Sequence, residues 1–179
     1  DNLKLHLIVV FGKNQDDLSK SLSKVDFDYF KKFPNVSIIY VPNLHAKYYG
    51  NENKGIITSL NLYDYSFKNN IEFGVYNEIK IFNNLTSSTD KEAWKTCIEM
   101  AETNLVVFIK RPAFKKKMLS SIFGKTYIKS EILHDSTGFY NSRNLNEQNL
   151  ILKKTLNDFP DEIDLDITLK ERPIREDYS

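Results

Sequence analysis

A single cysteine, Cys97, stands in a chain of 179 residues. That scarcity excludes an intramolecular disulfide framework and any cysteine-rich zinc site within one chain. It fits a reducing, cytoplasmic setting, which is the expected localisation. Long hydrophobic runs are missing as well. No stretch approaches the roughly 18 apolar residues that a bilayer span needs, and no basic start leads into an apolar signal region. Neither a transmembrane segment nor secretion is therefore expected. An excess of one charge is absent too: the formal net charge is +1. This excludes a polybasic coat for nucleic acid, although a cleft can be locally positive whatever the net charge. No internal repeat is visible. The chain opens on Asp1, not on methionine, and upstream sequence is expected.

What the chain does hold is enough apolar material for a core. Hydrophobic residues make up 41% and aromatics 13%, and they gather in runs such as Leu7 to Phe11 and Val36 to Tyr40. One compact domain with a modest appendage is the natural reading at this length.

Leu3 to Phe11 alternates apolar with polar residues and then turns wholly apolar, which predicts a strand entering a buried sheet. Gly12 ends it. From Asp17 to Phe33, Leu18, Leu22, Val25, Tyr29, Phe30 and Phe33 recur at helical spacing, and Pro34 stops the run. Val36 to Tyr40 reads as the next strand, so the opening is strand, helix, strand. Two further strand-like runs, Leu44 to Tyr49 and Gly55 to Leu60, flank a polar loop suited to a hairpin. Another strand is predicted from Ile71 to Ile81. A helix follows from Thr89, whose side chain and Glu92 make a capping-box pattern, with Trp94, Cys97, Ile98 and Ala101 on its buried side. Beyond Pro112 the composition changes. Lys115 to Lys117 open a predicted short helix ending near Gly124, and the polar remainder, with Asp158 to Ser179 as an extended arm, reads as a tail or subdomain. The predicted division is 1–111 and 112–179. The fold class is α/β, a central mixed sheet flanked by helices with a C-terminal extension.

The chemistry gathers at the hairpin. His45 and Lys47 are two apart on a predicted strand and would share a face. Ser59 and Asn61, two apart on the returning strand, can lie alongside. Glu72 is a carboxylate inside an otherwise apolar run, and such a group needs a partner. A histidine can attack a phosphodiester when one ring nitrogen is free and an acceptor holds the other, and Glu72 is the expected acceptor. Lys47 and Asn61 supply a positive charge and an amide donor for the non-bridging oxygens, and Ser59 adds a hydroxyl. None of these roles calls for a metal or cofactor, and no other His, Asp and Glu cluster has ligand spacing.

His45-Ala46-Lys47, then Thr58-Ser59-Leu60-Asn61, then Asn70-Ile71-Glu72 resembles the HxK, GSxN and downstream glutamate of the phospholipase D superfamily. The words Asn43 to Tyr49 and Ile56 to Asp64 are similar to bacterial members carrying one motif per chain. The resemblance covers residues 3 to 110. It implies a phospholipase D-like domain and a metal-independent phosphodiesterase, with a phosphohistidine at His45. It also implies a domain lacking its first strand and helix. Two departures stand out: Glu52 replaces the motif's aspartate seven residues after the histidine, and Thr58 replaces the glycine before the serine. The first is expected to be structural, and the second to narrow the phosphate pocket. Superfamily members use two facing motifs, so one motif implies a homodimer with a shared active site. One His45 then attacks phosphorus and the other protonates the leaving oxygen. His134 is no second copy, because residue 136 is serine.

The expected substrate is DNA or RNA. The rivals are a hydrolase of phospholipids or other small phosphodiesters, and a weakly active nucleic-acid-binding module of a defence or restriction system. Lys13 and the run Lys115 to Lys117 read as solvated lysines, Cys97 as an inert packed thiol, and His6 and His134 have no evident partner.

Overall fold

The computed structural model describes residues 3, 5–12, 21–61, 68–78, 89–116, 124–136 and 154–166. Its centre is β2 (Val36–Val41), in which all six residues are buried. The reason is position. β1 (Leu7–Gly12) runs parallel to it on one side, from Leu7 opposite Val36 to Gly12 opposite Val41. On the other side β6 (Leu105–Lys116) runs antiparallel, and beyond β6 lies β7 (Lys125–Asp135).

Both faces of this sheet are covered, and the period of two sorts the strand between them. Val36, Ile38 and Tyr40 join Phe27 of helix α1 (Lys24–Phe30) and Phe108 in one cluster, whereas Ile39 and Val41 join Ala101 of helix α2 (Thr89–Thr103) and Ile109 in the other. Val36, Ile38 and Ile39 are fully enclosed, each contributing about 1.5–3 kcal/mol of burial free energy. Helix α1 starts at Lys24 and not at the predicted Asp17. The Ser23 hydroxyl caps it by accepting from the Asp26 N–H at 3.1 Å, which holds Ser21 to Ser23 out of the helix. Residues 13–20, with Lys13, lie outside the described residues. Helix α2 starts at Thr89 as predicted, with Trp94, Cys97 and Ile98 half-buried. Burial raises the Cys97 thiol pKa, in keeping with an inert thiol.

A second, three-stranded antiparallel sheet holds β3 (Tyr48–Gly50), β4 (Lys54–Thr58) and β5 (Gly74–Glu78) in that order. The predicted hairpin is present, with Tyr48 opposite Ile57 and Gly50 opposite Gly55. Helix α2 touches β4 and β5 as well as β1 and β2, so it bridges the two sheets. No helix among the described residues is long and apolar enough to cross a membrane.

The C-terminal part departs from expectation. Strand β6 continues through Pro112 to Lys116, so Lys115 and Lys116 are strand, not helix, and Lys117 to Phe123 lie outside the described residues. The polar stretch 125–135 is β7, paired along β6, and β8 (Ile163–Asp164) returns to pair parallel with Ala113 and Phe114. A boundary at 111/112 would cut β6 in two. The proline is tolerated because β2 pairs with β6 only as far as Lys110 and β8 begins at Ala113, leaving a gap on that side at Pro112.

Arg111 ties this return to the core. It is 1% exposed. Its Nε donates to the Pro160 carbonyl at 2.9 Å, Nη1 to the Val36 carbonyl at 3.2 Å, and Nη2 to Ser37 Oγ at 2.9 Å. Ser37 Oγ lies 2.8 Å from His6 Nε2. The hydroxyl has a second acceptor site and one hydrogen, so the His6 tautomer decides which of the two donates. Burial first, then the Arg111 charge, lowers the His6 pKa to about 4, against an opposing pull from Asp161.

The sign of the resulting pH dependence is fixed. Between the ordinary histidine value and about 4 the unfolded chain binds a proton that the folded chain refuses, so stability falls as pH drops through this window and levels off below it. His6 should contribute about 2 kcal/mol to that loss, after discounting for solvent screening. His134 shifts in the same direction, from burial first and then Lys154. The check is therefore a difference: His6→Gln should flatten the urea midpoint between pH 7 and 4.5 relative to the parent. Equal slopes would refute the assignment.

Candidate active site

The path to the site starts where β2 ends. Pro42 and Asn43 turn the chain, Asn43 takes φ 62°, and the Leu44 N–H returns to the Val41 carbonyl at 3.3 Å. Proline followed by an asparagine with positive φ is the chemistry of a type II turn. Gly12 lies against it. A Cβ at Gly12 would fall on the Val41 carbonyl and come within 3.1 Å of Leu44 Cβ. Leu44 packs on the core and His45 emerges exposed.

His45 and Lys47 do not share a strand face as predicted, since residues 42–47 form irregular chain ahead of β3. The turn at Pro42 and Asn43 delays pairing until Tyr48. The two remain together by another route: Lys47 Nζ donates to the His45 carbonyl at 3.2 Å. The Lys47 carbonyl accepts from the Thr58 N–H at 3.1 Å, which anchors this segment to the end of β4.

Next along that end is the Ser59-Leu60-Asn61 turn. The Thr58 hydroxyl donates to the Phe73 carbonyl at 2.7 Å and accepts from the Leu60 N–H at 3.1 Å. The expected narrowing of a pocket is thus a hydroxyl spent on the turn. Gly74 makes room for it, since a Cβ there would meet Thr58 Oγ1 at 3.2 Å. Tyr49 reaches across from β3, its hydroxyl donating to the Leu60 carbonyl at 3.1 Å. Asn61 follows, exposed; residues 62–67 lie outside the described residues.

Glu72 closes the row. Its Oε2 accepts from Ser59 Oγ at 2.5 Å and its Oε1 from Asn70 Nδ2 at 3.1 Å, while Ser59 Oγ accepts from the Phe73 N–H at 3.1 Å. The structure therefore departs from the predicted His45–Glu72 pair. Among the described residues the His45 ring makes no hydrogen bond, and the carboxylate is engaged by Ser59 and Asn70. The run Ile71 to Phe73 precedes β5 instead of belonging to it, which frees Glu72 to fold over the serine. Glu52 sits exposed at the hairpin tip, the end away from Tyr48 and His45.

The row as a whole offers an exposed imidazole, an ammonium, a hydroxyl, an amide and a fixed carboxylate at one end of a small sheet. Asn70 and Tyr49 have positioning parts that residue spacing did not reveal. The position of Asn70 two residues before Glu72 was the available signal for it. Tyr49 gave none, because its contact depends on hairpin register. His134 lies on β7 with its ring 5.7 Å from that of Phe159, apart from this row. Among the described residues, no three His, Cys, Asp or Glu side chains come together as a metal-ligand set. No family model, no curated protein and no solved structure matches the chain.

Proposed function

We propose that this chain is a phosphodiesterase of the phospholipase D type that cleaves nucleic acid through a phosphohistidine at His45. The observation that carries the reading is the row itself: backbone bonds from Lys47 to Thr58 and from Ser59 to Phe73 gather all three motif pieces at one end of the small sheet. In the reaction a His45 ring nitrogen forms a bond to phosphorus as the bond to the leaving oxygen breaks. Lys47 and Asn61 take the developing charge on the non-bridging oxygens. A histidine of a second copy protonates the leaving oxygen and then, as base, activates water to release the phosphoryl group from His45. Glu72, bonded to Ser59 and Asn70, holds the serine hydroxyl in place at the end of the row. An exposed, open row favours an extended polymer backbone over a small diester buried in a cavity. No step uses a metal ion.

The test is incubation with single- and double-stranded DNA, RNA and a chromogenic phosphodiester in EDTA. Cleavage should persist, and alkaline quenching followed by mass spectrometry should find phosphorus on His45. Intact substrates, or activity that EDTA removes, would refute the reading.

A further inference from the structure

Beside the row the small sheet carries an open apolar stripe. Ile71 is 104% exposed, Phe73 72% and Val75 45%. Its position follows from the ladder. The Thr58 N–H turns toward β3, so the Ser59 N–H faces β5 and donates to the Phe73 carbonyl at 3.0 Å. That bond continues the register of Ile57 with Val75 and Thr58 with Gly74, which sets Ser59 opposite Phe73. Opposed residues project from one face with Cβ atoms about 5 Å apart, so the Phe73 ring stands next to the Ser59 hydroxyl. Both backbone groups of Phe73 are held, the N–H by Ser59 Oγ and the carbonyl by the Thr58 hydroxyl as well. The ring therefore keeps a fixed place at the edge of the row while most of its surface meets solvent. Lys47, two strand spacings away, lies on the order of 10 Å from it.

These side chains offer no hydrogen bond, and that decides what they can meet. The groove edges of a duplex are read through donors and acceptors, its outer surface is phosphate and sugar, and its base faces are covered by their neighbours. An apolar stripe gains nothing from any of the three. A single strand is different, because its unpaired bases expose flat faces that stack on aromatic rings. We infer that the row acts on single-stranded nucleic acid, with one base stacked on Phe73 while the adjoining phosphate lies against Lys47 and Asn61. The inference rests on the phosphodiesterase reading of the row and names its substrate class. Ile71 and Val75 widen the apolar ground around the stacked base. Stacking is tolerant of base identity, so the stripe selects strandedness and not sequence. Tyr76, also exposed, pairs with Ile56 and alternates to the other face, away from the row.

Fluorescence anisotropy of labelled oligothymidylate on the His45→Ala chain in EDTA tests this, since that chain leaves the probe intact. The single strand should bind at least about 10-fold tighter than its duplex with oligoadenylate at the same salt. Phe73→Ala should weaken strand binding about 10-fold and Phe73→Trp should restore it, with duplex affinity changing by less than about 2-fold in both. Tyr76→Ala should leave strand binding unchanged. As a second measurement, a strand carrying bromouracil and irradiated on the chain should place its crosslink on Phe73 by mass spectrometry. Equal affinity for strand and duplex, or strand binding indifferent to Phe73→Ala, would overturn the assignment. So would a Phe73→Ala chain that loses adsorption to phosphatidylglycerol vesicles while its strand binding holds, because the stripe would then be a lipid contact. Strand binding that responds as stated, in a parent chain that cleaves neither the strand nor a chromogenic diester, supports the stacking platform and overturns the catalytic reading instead.

Discussion

Replacing His45 by alanine should reduce phosphodiester cleavage by at least about 10⁴-fold, because in a shared site one residue type supplies both nucleophile and acid. The fold should not notice. The ring is exposed and makes no hydrogen bond among the described residues, and a substitution of that kind stays within about 0.5 kcal/mol of the parent. Chromogenic diester hydrolysis in EDTA, run beside urea unfolding, reads both numbers. Mixing gives a sharper readout. When parent and His45→Ala chains are dissociated and reassembled together, activity should fall with the square of the parent fraction. A linear fall would mean that each chain works alone. A variant retaining a tenth of the activity would remove His45 from the chemistry.

Arg111→Ala should cost about 4 kcal/mol of folding free energy, roughly a 10³-fold shift toward the unfolded chain. The guanidinium is enclosed, and its removal strands the Pro160 carbonyl and the Ser37 hydroxyl while opening a cavity. Among the described residues no carboxylate lies within ion-pair distance of it, and burial pulls its pKa below the usual arginine value. The charge is thus balanced by carbonyl and hydroxyl dipoles together with the longer-range pull of Asp161. Arg111→Met keeps most of the volume and should lose only about half as much. Urea midpoints at an unchanged m-value would check both. A loss under about 1 kcal/mol for the alanine variant would show that the C-terminal return is held by other contacts.

How far the sequence could be read depended on where each element sits. β1 and β2 were legible because burial on both faces writes a continuous apolar run, and α2 because its half-buried face repeats at helical spacing. β7 was not. It lies at the edge of the large sheet with most residues exposed or half-buried, so Lys125 to Asp135 looks like loop. The end of β6 was masked by Pro112, which reads as a break until the gap between β2 and β8 is known. In the candidate site, chain order brought Lys47, Ser59 and Glu72 to one end of the small sheet, while their contacts were not legible. Spacing put His45 and Lys47 on one strand, and the turn at Asn43 removed that geometry. It gave Glu72 to His45, whereas a serine and an asparagine closer along the chain reach the carboxylate. Local polar partners compete well because they cost little chain entropy to bring together.

The missing side chain at position 12 also has a consequence for how this protein can change. Gly12 ends a strand far from His45 in sequence, yet hydrogen is the largest substituent that fits between it and the Val41 carbonyl. Any larger group would have to push the Val41 to Leu44 turn outward, and with it the exit direction of His45. Drift at the tip of β1 is therefore coupled to the placement of the imidazole. A library that varies this protein for new substrates should hold residue 12 fixed while it diversifies the exposed ground around Asn61 and Asn70.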